Sequence, residues 1–122
     1  MRRFSKLVYE NRDRILDTIQ RETRKNRLSA FEEVADSAQL AHFYGRRAAG
    51  ILRPRRRRGL LPIVTRTIEY RRPVGVVGVV TPWNYPFTLP ASDAIPALVA
   101  GNAVVLLPDP LTEDSAQLVV EL

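Results

Sequence analysis

The chain has 122 residues, of which 45% are hydrophobic and 26% charged, enough for one folded core and unlike the composition of a disordered segment. It has no cysteine and a single histidine, His42, which excludes a disulfide framework, a thiolate metal site and a zinc centre. The formal charge is +6, but the arginines cluster between Arg46 and Arg58, so the charge is local rather than global.

No apolar run reaches the roughly 18 residues that span a bilayer, so no membrane partner is expected. The opening Met1-Arg2-Arg3-Phe4-Ser5-Lys6 lacks the continuous apolar region of a signal peptide, which makes the cytoplasm the expected location.

Phe4, Leu7, Val8, Ile15 and Ile19 share one face of a 3.6-residue period, with Glu10, Arg12, Asp13, Asp17 and Arg21 mostly opposite. That pattern predicts a surface helix over residues 3–24. Lys25-Asn26-Arg27 breaks it. Ser29-Ala30-Phe31-Glu32 has the form of a capping box, and predicts a second helix to about Ala49, stopped by Gly50. Its apolar stripe is Phe31, Val34, Ala35, Ala38 and Ala41, with His42 packed at its margin. Two such helices form an antiparallel pair that must rest its apolar faces on something larger.

Arg53-Pro54-Arg55-Arg56-Arg57-Arg58 follows. Pro54 and Gly59 exclude a regular helix through this run, so a solvated linker is expected. Phosphate contact is the alternative, but no aromatic residue interleaves with the arginines to stack bases, so nucleic acid is not the expected partner. Leu60-Leu61-Pro62 leads into Ile63–Tyr70, whose β-branched residues predict a half-exposed strand.

Val74-Gly75-Val76-Val77-Gly78-Val79-Val80 is apolar on both faces, which predicts a central parallel strand covered on both sides. Gly75 and Gly78 suggest close packing of a helix or ligand. The run ends in Thr81-Pro82-Trp83-Asn84-Tyr85-Pro86. Pro86 suits the first turn of a helix to about Ala100, with Pro90 near the start and Pro96 kinking the interior. Gly101 ends that helix, Ala103–Leu106 returns as a second parallel strand, and Glu113–Leu122 opens a further helix. By spacing alone Asn84 reads as an N-cap and Trp83 as a structural indole. A strand delivering an amide and an indole at its C-terminal end, before a helix and a second strand, is also the layout of a nucleotide-binding crevice. No G-x-G-x-x-G occurs.

The Thr81–Pro86 string, with Pro96-Ala97-Leu98-Val99-Ala100-Gly101-Asn102 and on to about Leu106, closely resembles the aldehyde dehydrogenase superfamily. Ser92-Asp93-Ala94-Ile95-Pro96-Ala97-Leu98 looks most like the branch that includes succinate-semialdehyde dehydrogenases. The resemblance implies an α/β fold, with an N-terminal helical pair followed by an incomplete doubly wound, Rossmann-like parallel sheet. The organisation it implies is a helical pair over 1–52, a basic linker and oligomerisation-type strand over 53–73, and the first part of a nucleotide-binding domain over 74–122. It further implies NAD or NADP as cofactor, a small-molecule aldehyde as substrate and a homo-oligomeric assembly.

Within that family pattern Asn84 donates its amide to the oxyanion formed when a thiolate attacks the aldehyde, and Val80, Thr81, Pro82 and Trp83 line the nicotinamide side of the cleft. The chain departs from the pattern at Leu107, where a lysine commonly bonds the adenosine ribose, and at Pro110, where a glutamate often does. That leaves Asp109 and Glu113 as acids that reach the ribose only through a shifted loop. The family's nucleophile is a cysteine, and the chain has none. The expectation is therefore the N-terminal part of an aldehyde dehydrogenase, inactive alone, weak in cofactor binding and aggregation-prone because one sheet face is bare. A non-catalytic association module built on the helix pair and Ile63–Tyr70 is the rival reading, and a basic nucleic-acid-binding segment is a third.

Overall fold

The computed structural model describes residues 1–61 and 63–122. Pro62, in the expected lead-in to a strand, lies outside the described residues. The elements are helices α1 (Arg2–Glu10), α2 (Arg12–Thr23) and α3 (Arg27–Leu52), strands β1 (Arg55–Arg57), β2 (Thr67–Glu69) and β3 (Val76–Thr81), helix α4 (Thr88–Val99), strand β4 (Ala103–Pro108), a short 3-10 turn (Pro110–Thr112) and helix α5 (Glu113–Glu121).

The expected first helix is two helices. Asn11 interrupts it: both its main-chain N–H and its side-chain amide donate to the Leu7 carbonyl, at 2.9 and 2.8 Å. A short polar side chain that competes for a helical carbonyl favours a break. α2 ends on Arg24 in the left-handed region, φ +61°.

The capping box at Ser29 and Glu32 does not form. Asn26 is the N-cap instead, accepting from Ser29 N at 2.8 Å, so Ser29 already lies inside α3. Nor does Gly50 stop the helix, which runs to Leu52 and ends where Pro54 disfavours helical backbone at the residue before it. The buried face of α3 is Ala30, Glu33, Val34, Ser37, Ala38 and Ala41, rotated from the expected stripe. Phe31 and His42 are exposed, and His42 lies beside Arg46 instead of packing in the core.

The arginine run is more ordered than a linker. Arg55–Arg57 pairs antiparallel with Thr67–Glu69, and Glu69 bonds Arg57 at 2.6 Å and Arg71 at 2.9 Å. Of the expected strand over 63–70 only Thr67–Glu69 forms, because Val64 and Thr65 turn back to donate to the Leu61 carbonyl.

β3 and β4 pair in parallel from Val76↔Ala103 to Thr81↔Pro108, with α4 crossing between them. Val77, Val79 and Thr81 face α4, while Val76 and Val80 remain 66% and 75% exposed and Val105 and Leu107 are 61% and 62% exposed. The sheet is thus covered on one side, not both. A Cβ placed on Gly75 or Gly78 meets nothing within 4 Å, so the close packing expected over them is absent from this chain. Gly75 instead serves conformation, with φ +109°.

One core joins the helical layer to the β-α-β unit. Val8, Ile15, Leu16, Ile19, Ala30, Val34 and Ala38 pack with Phe87 and Leu118, and Ala41 packs with Ala91 and Ile95 of α4. Two glutamates fasten the layers. Glu22 of α2 accepts from the N–H groups of Asp114 and Ser115, at 2.9 and 3.0 Å, and from the Ser115 hydroxyl. Glu33 of α3 accepts from the N–H groups of Phe87 and Thr88 at 3.0 and 3.1 Å. Each carboxylate meets the positive end of a helix and takes up donors that have no intrahelical acceptor.

Candidate functional site

Thr81 closes β3, and the chain turns through residues 82–87 before α4 begins. This turn stands at the C-terminal ends of both parallel strands, where open α/β sheets bind ligands. Thr81 is buried toward α4. Val80, Pro82, Trp83 and Asn84 are exposed, with Trp83 54% accessible. The five residues singled out from the sequence are therefore neighbours at one strand end, and four of them are accessible.

Asn84 is not the N-cap of α4. The cap position is Phe87, three residues later, and it makes no side-chain cap bond. Tyr85 precedes Pro86, which biases it to extended backbone and delays the helix. The capping role passes to Glu33, which reaches the Phe87 and Thr88 amides from the neighbouring layer. Among the described hydrogen bonds Asn84 uses only its main-chain oxygen, leaving its side-chain amide toward solvent as a donor.

The turn itself is clipped from behind. Lys25 Nζ donates to the Asn84 oxygen at 2.7 Å and to Glu33 Oε1 at 2.6 Å, and it lies 4.5 Å from the centre of the Tyr85 ring. Thr88 Oγ1 donates to the Glu33 carbonyl at 2.9 Å and lies 3.3 Å from Ser37 Oγ. Glu33 is 1% exposed, and among the described residues its carboxylate bonds Lys25, the end of the turn at Phe87 and the first residue of α4, Thr88.

The start of β3 is held by Asn102, whose Oδ1 accepts from Val74 N and Gly75 N at 2.7 and 3.1 Å while its Nδ2 donates to the Ala97 carbonyl at 3.0 Å. One amide thus ties the strand's entry to the exit of α4.

Leu107 projects from the open face of β4 without a polar atom. Asp109 is engaged locally as the cap of the 3-10 turn, accepting from Leu111 N at 2.9 Å, and Pro110 begins that turn. Glu113 is exposed at the start of α5. Among the described residues no group of three His, Cys, Asp or Glu side chains could hold a metal, and no helix is long and apolar enough to cross a membrane.

Sequence reasoning missed Lys25, Glu33 and Glu22. The signal for Glu33 was its spacing: it falls three residues after Ala30 and one before Val34, which places a carboxylate on the buried stripe once that stripe is started at Ala30 instead of Phe31.

The sequence profile described as the aldehyde dehydrogenase family matches residues 1–122. A Mycobacterium ulcerans (strain Agy99) protein, provisionally named succinate-semialdehyde dehydrogenase (NADP+) 2, is 50% identical over all of this chain, which spans 24% of its length. Succinate-semialdehyde dehydrogenase from Burkholderia pseudomallei is 28% identical and superposes with a TM-score of 0.86, over 98% of this chain and 24% of its own. A NAD-dependent benzaldehyde dehydrogenase from Corynebacterium glutamicum is also 28% identical, with a TM-score of 0.84 over 98% of this chain and 27% of its own. The chain thus spans about a quarter of the length of the relatives it matches.

Proposed function

Given that the chain belongs to the aldehyde dehydrogenase family, we propose that it supplies the N-terminal part of an NAD(P)-dependent aldehyde dehydrogenase that oxidises an aldehyde to a carboxylate. In this reading residues 1–52 are a helical layer, residues 53–73 carry an association hairpin, and residues 74–122 begin the nucleotide-binding domain. Succinate semialdehyde is the substrate we favour, because it is named for the half-identical Mycobacterium ulcerans relative.

The observation that carries the reading is the exposed side-chain amide of Asn84, without a partner among the described residues and set on a clipped turn at the C-terminal end of a parallel strand. An amide N–H donates without competing for protons, so it can stabilise negative charge on the aldehyde oxygen as a nucleophile attacks the carbonyl carbon. Removing one such donor costs roughly 10²- to 10³-fold in rate. The chain has no cysteine, so the attacking thiolate of this family comes from outside these residues, and the chain alone turns over no aldehyde.

We assign Val80, Thr81, Pro82 and Trp83 to the nicotinamide side of a dinucleotide, since Val80, Pro82 and Trp83 are exposed apolar residues beside the strand end that buried Thr81 closes. The cofactor, when bound, accepts the hydride that leaves the aldehyde carbon. Leu107 offers the ribose no hydrogen bond, so this chain's own share of cofactor binding is weak. The family resemblance implies a homo-oligomer, and the β1–β2 hairpin, a two-stranded sheet among the described residues, is the association surface we assign. The location we assign is the cytoplasm.

The test joins residues 1–122 to the remainder of the Mycobacterium ulcerans relative and assays NADPH formation with succinate semialdehyde. Activity in the joined enzyme and none in the isolated chain is the expected pair of results. A folded joined enzyme without activity, or turnover by the homogeneous isolated chain, would overturn the proposal.

A further inference from the structure

An amide that donates to a short-lived oxyanion works only if its main chain is fixed beforehand. The segment bearing Asn84 has no ladder partner to fix it, because β3 ends at Thr81 and α4 starts at Thr88. Its anchor is instead a contact from the helical layer, 59 residues away in sequence. An ammonium has three donors. Lys25 directs one to the Asn84 oxygen and another to Glu33, and its charge lies over the Tyr85 ring. Its side chain is mostly buried and that of Glu33 is wholly so, so the ion pair is shielded at its carboxylate end, while the bond to the Asn84 oxygen lies at the surface. Glu33 uses its second oxygen on the two amides that open α4. One carboxylate therefore fixes both the lysine that holds Asn84 and the helix start that follows it.

Resting on the reading of Asn84 above, we infer that Lys25 and Glu33 are positioning residues for the proposed oxyanion donor. Lys25 holds the Asn84 main chain by a charge-assisted hydrogen bond, and Glu33 holds Lys25. Neither residue touches substrate. Their effect is therefore on the chemical step and passes through Asn84. A displacement of about 1 Å in a catalytic group is enough to lower a rate by up to roughly 100-fold, which sets the scale.

The test is a double-mutant cycle in the joined full-length enzyme, comparing Lys25→Met, Asn84→Ala and the pair. Methionine keeps an unbranched apolar stem and removes the donors. The expected result is a kcat loss of about tenfold or more for Lys25→Met with the aldehyde KM and the NADP affinity unchanged, and no further loss when it is added to Asn84→Ala. Losses that multiply in the pair, or a Lys25→Met enzyme as fast as the wild type, would overturn the inference while leaving the Asn84 reading intact. An Asn84→Ala enzyme as fast as the wild type removes that reading, and this inference with it. Should Lys25→Met fail to fold, the same cycle is read with Glu33→Gln, which keeps an acceptor for the Phe87 and Thr88 amides and loses the ion pair. Failure of both to fold would assign the pair to the stability of the fold alone and overturn the positioning role.

Discussion

The ammonium of Lys25 lies 2.7 Å from the main-chain oxygen of Asn84, so the layer formed by the first three helices directly holds the turn at the end of β3. The same lysine pairs with Glu33, and Glu33 in turn binds the first amides of α4. Secondary structure, packing and the proposed site meet at one buried carboxylate.

Replacing that carboxylate should loosen α4 from its start. Glu33→Ala strands Lys25 and the two amides of Phe87 and Thr88, and breaking a buried pair costs roughly 3–5 kcal/mol. Faster hydrogen exchange at Phe87 and Thr88, measured in the joined enzyme by mass spectrometry on peptides covering residues 83–92, is the expected outcome. Protection equal to the wild type would show that the cap is dispensable.

The open face of the sheet should govern how the isolated chain behaves. Val76 and Val105 are both more than half exposed on it, and burying a valine side chain is worth roughly 1.5–3 kcal/mol, so the bare face favours self-association. Val76→Lys with Val105→Lys should raise the soluble, monomeric fraction of the isolated chain in sedimentation. An unchanged distribution would place the association elsewhere, with the β1–β2 hairpin the next surface to alter.

Acid should release the β1–β2 hairpin. The Arg57 hydrogen bond, followed by the charges of Arg57, Arg71 and Arg55, holds the Glu69 carboxyl below its ordinary value against an opposing desolvation effect. A depressed carboxyl contributes stability that is present above its unfolded pKa and is lost as pH falls through the folded value. Amide protection across the paired segments Arg55–Arg57 and Thr67–Glu69 should therefore drop on acidification below the ordinary carboxylate range. Glu69→Gln should have the lower protection already at neutral pH and no acid transition, and a transition that survives this substitution would point to another group.

Leu107 is exposed on β4, at the position where the family resemblance implies a lysine bonding the adenosine ribose. Leu107→Lys should tighten nucleotide binding by the joined enzyme by about tenfold, the scale of one hydrogen bond to a charged group. Calorimetry that shows no gain would mean that the nucleotide passes β4 at a distance.

The readable parts of the sequence were those set by local rules. The valine run gave β3 within two residues of its observed bounds, and Gly101 ends α4 with φ +90°. Asn84 was legible as a residue of interest from the Trp83–Pro86 string. Its freedom from capping was not, because the substitute cap is Glu33, 54 residues from Phe87. β1 was illegible for the same kind of reason: consecutive arginines have little intrinsic strand preference, and their pairing depends on Glu69 across the hairpin. The one-residue displacement of the α3 stripe had the largest consequence, since it left the buried carboxylate of Glu33 off the expected face.

Stabilisation of the reacting oxygen by the Asn84 side chain is read most directly from the rate of the joined enzyme carrying Asn84→Ala. The expected kcat is lower by roughly 10²- to 10³-fold, with NADP affinity and overall fold as in the unaltered joined enzyme. An Asn84→Ala enzyme that keeps its full kcat would contradict it.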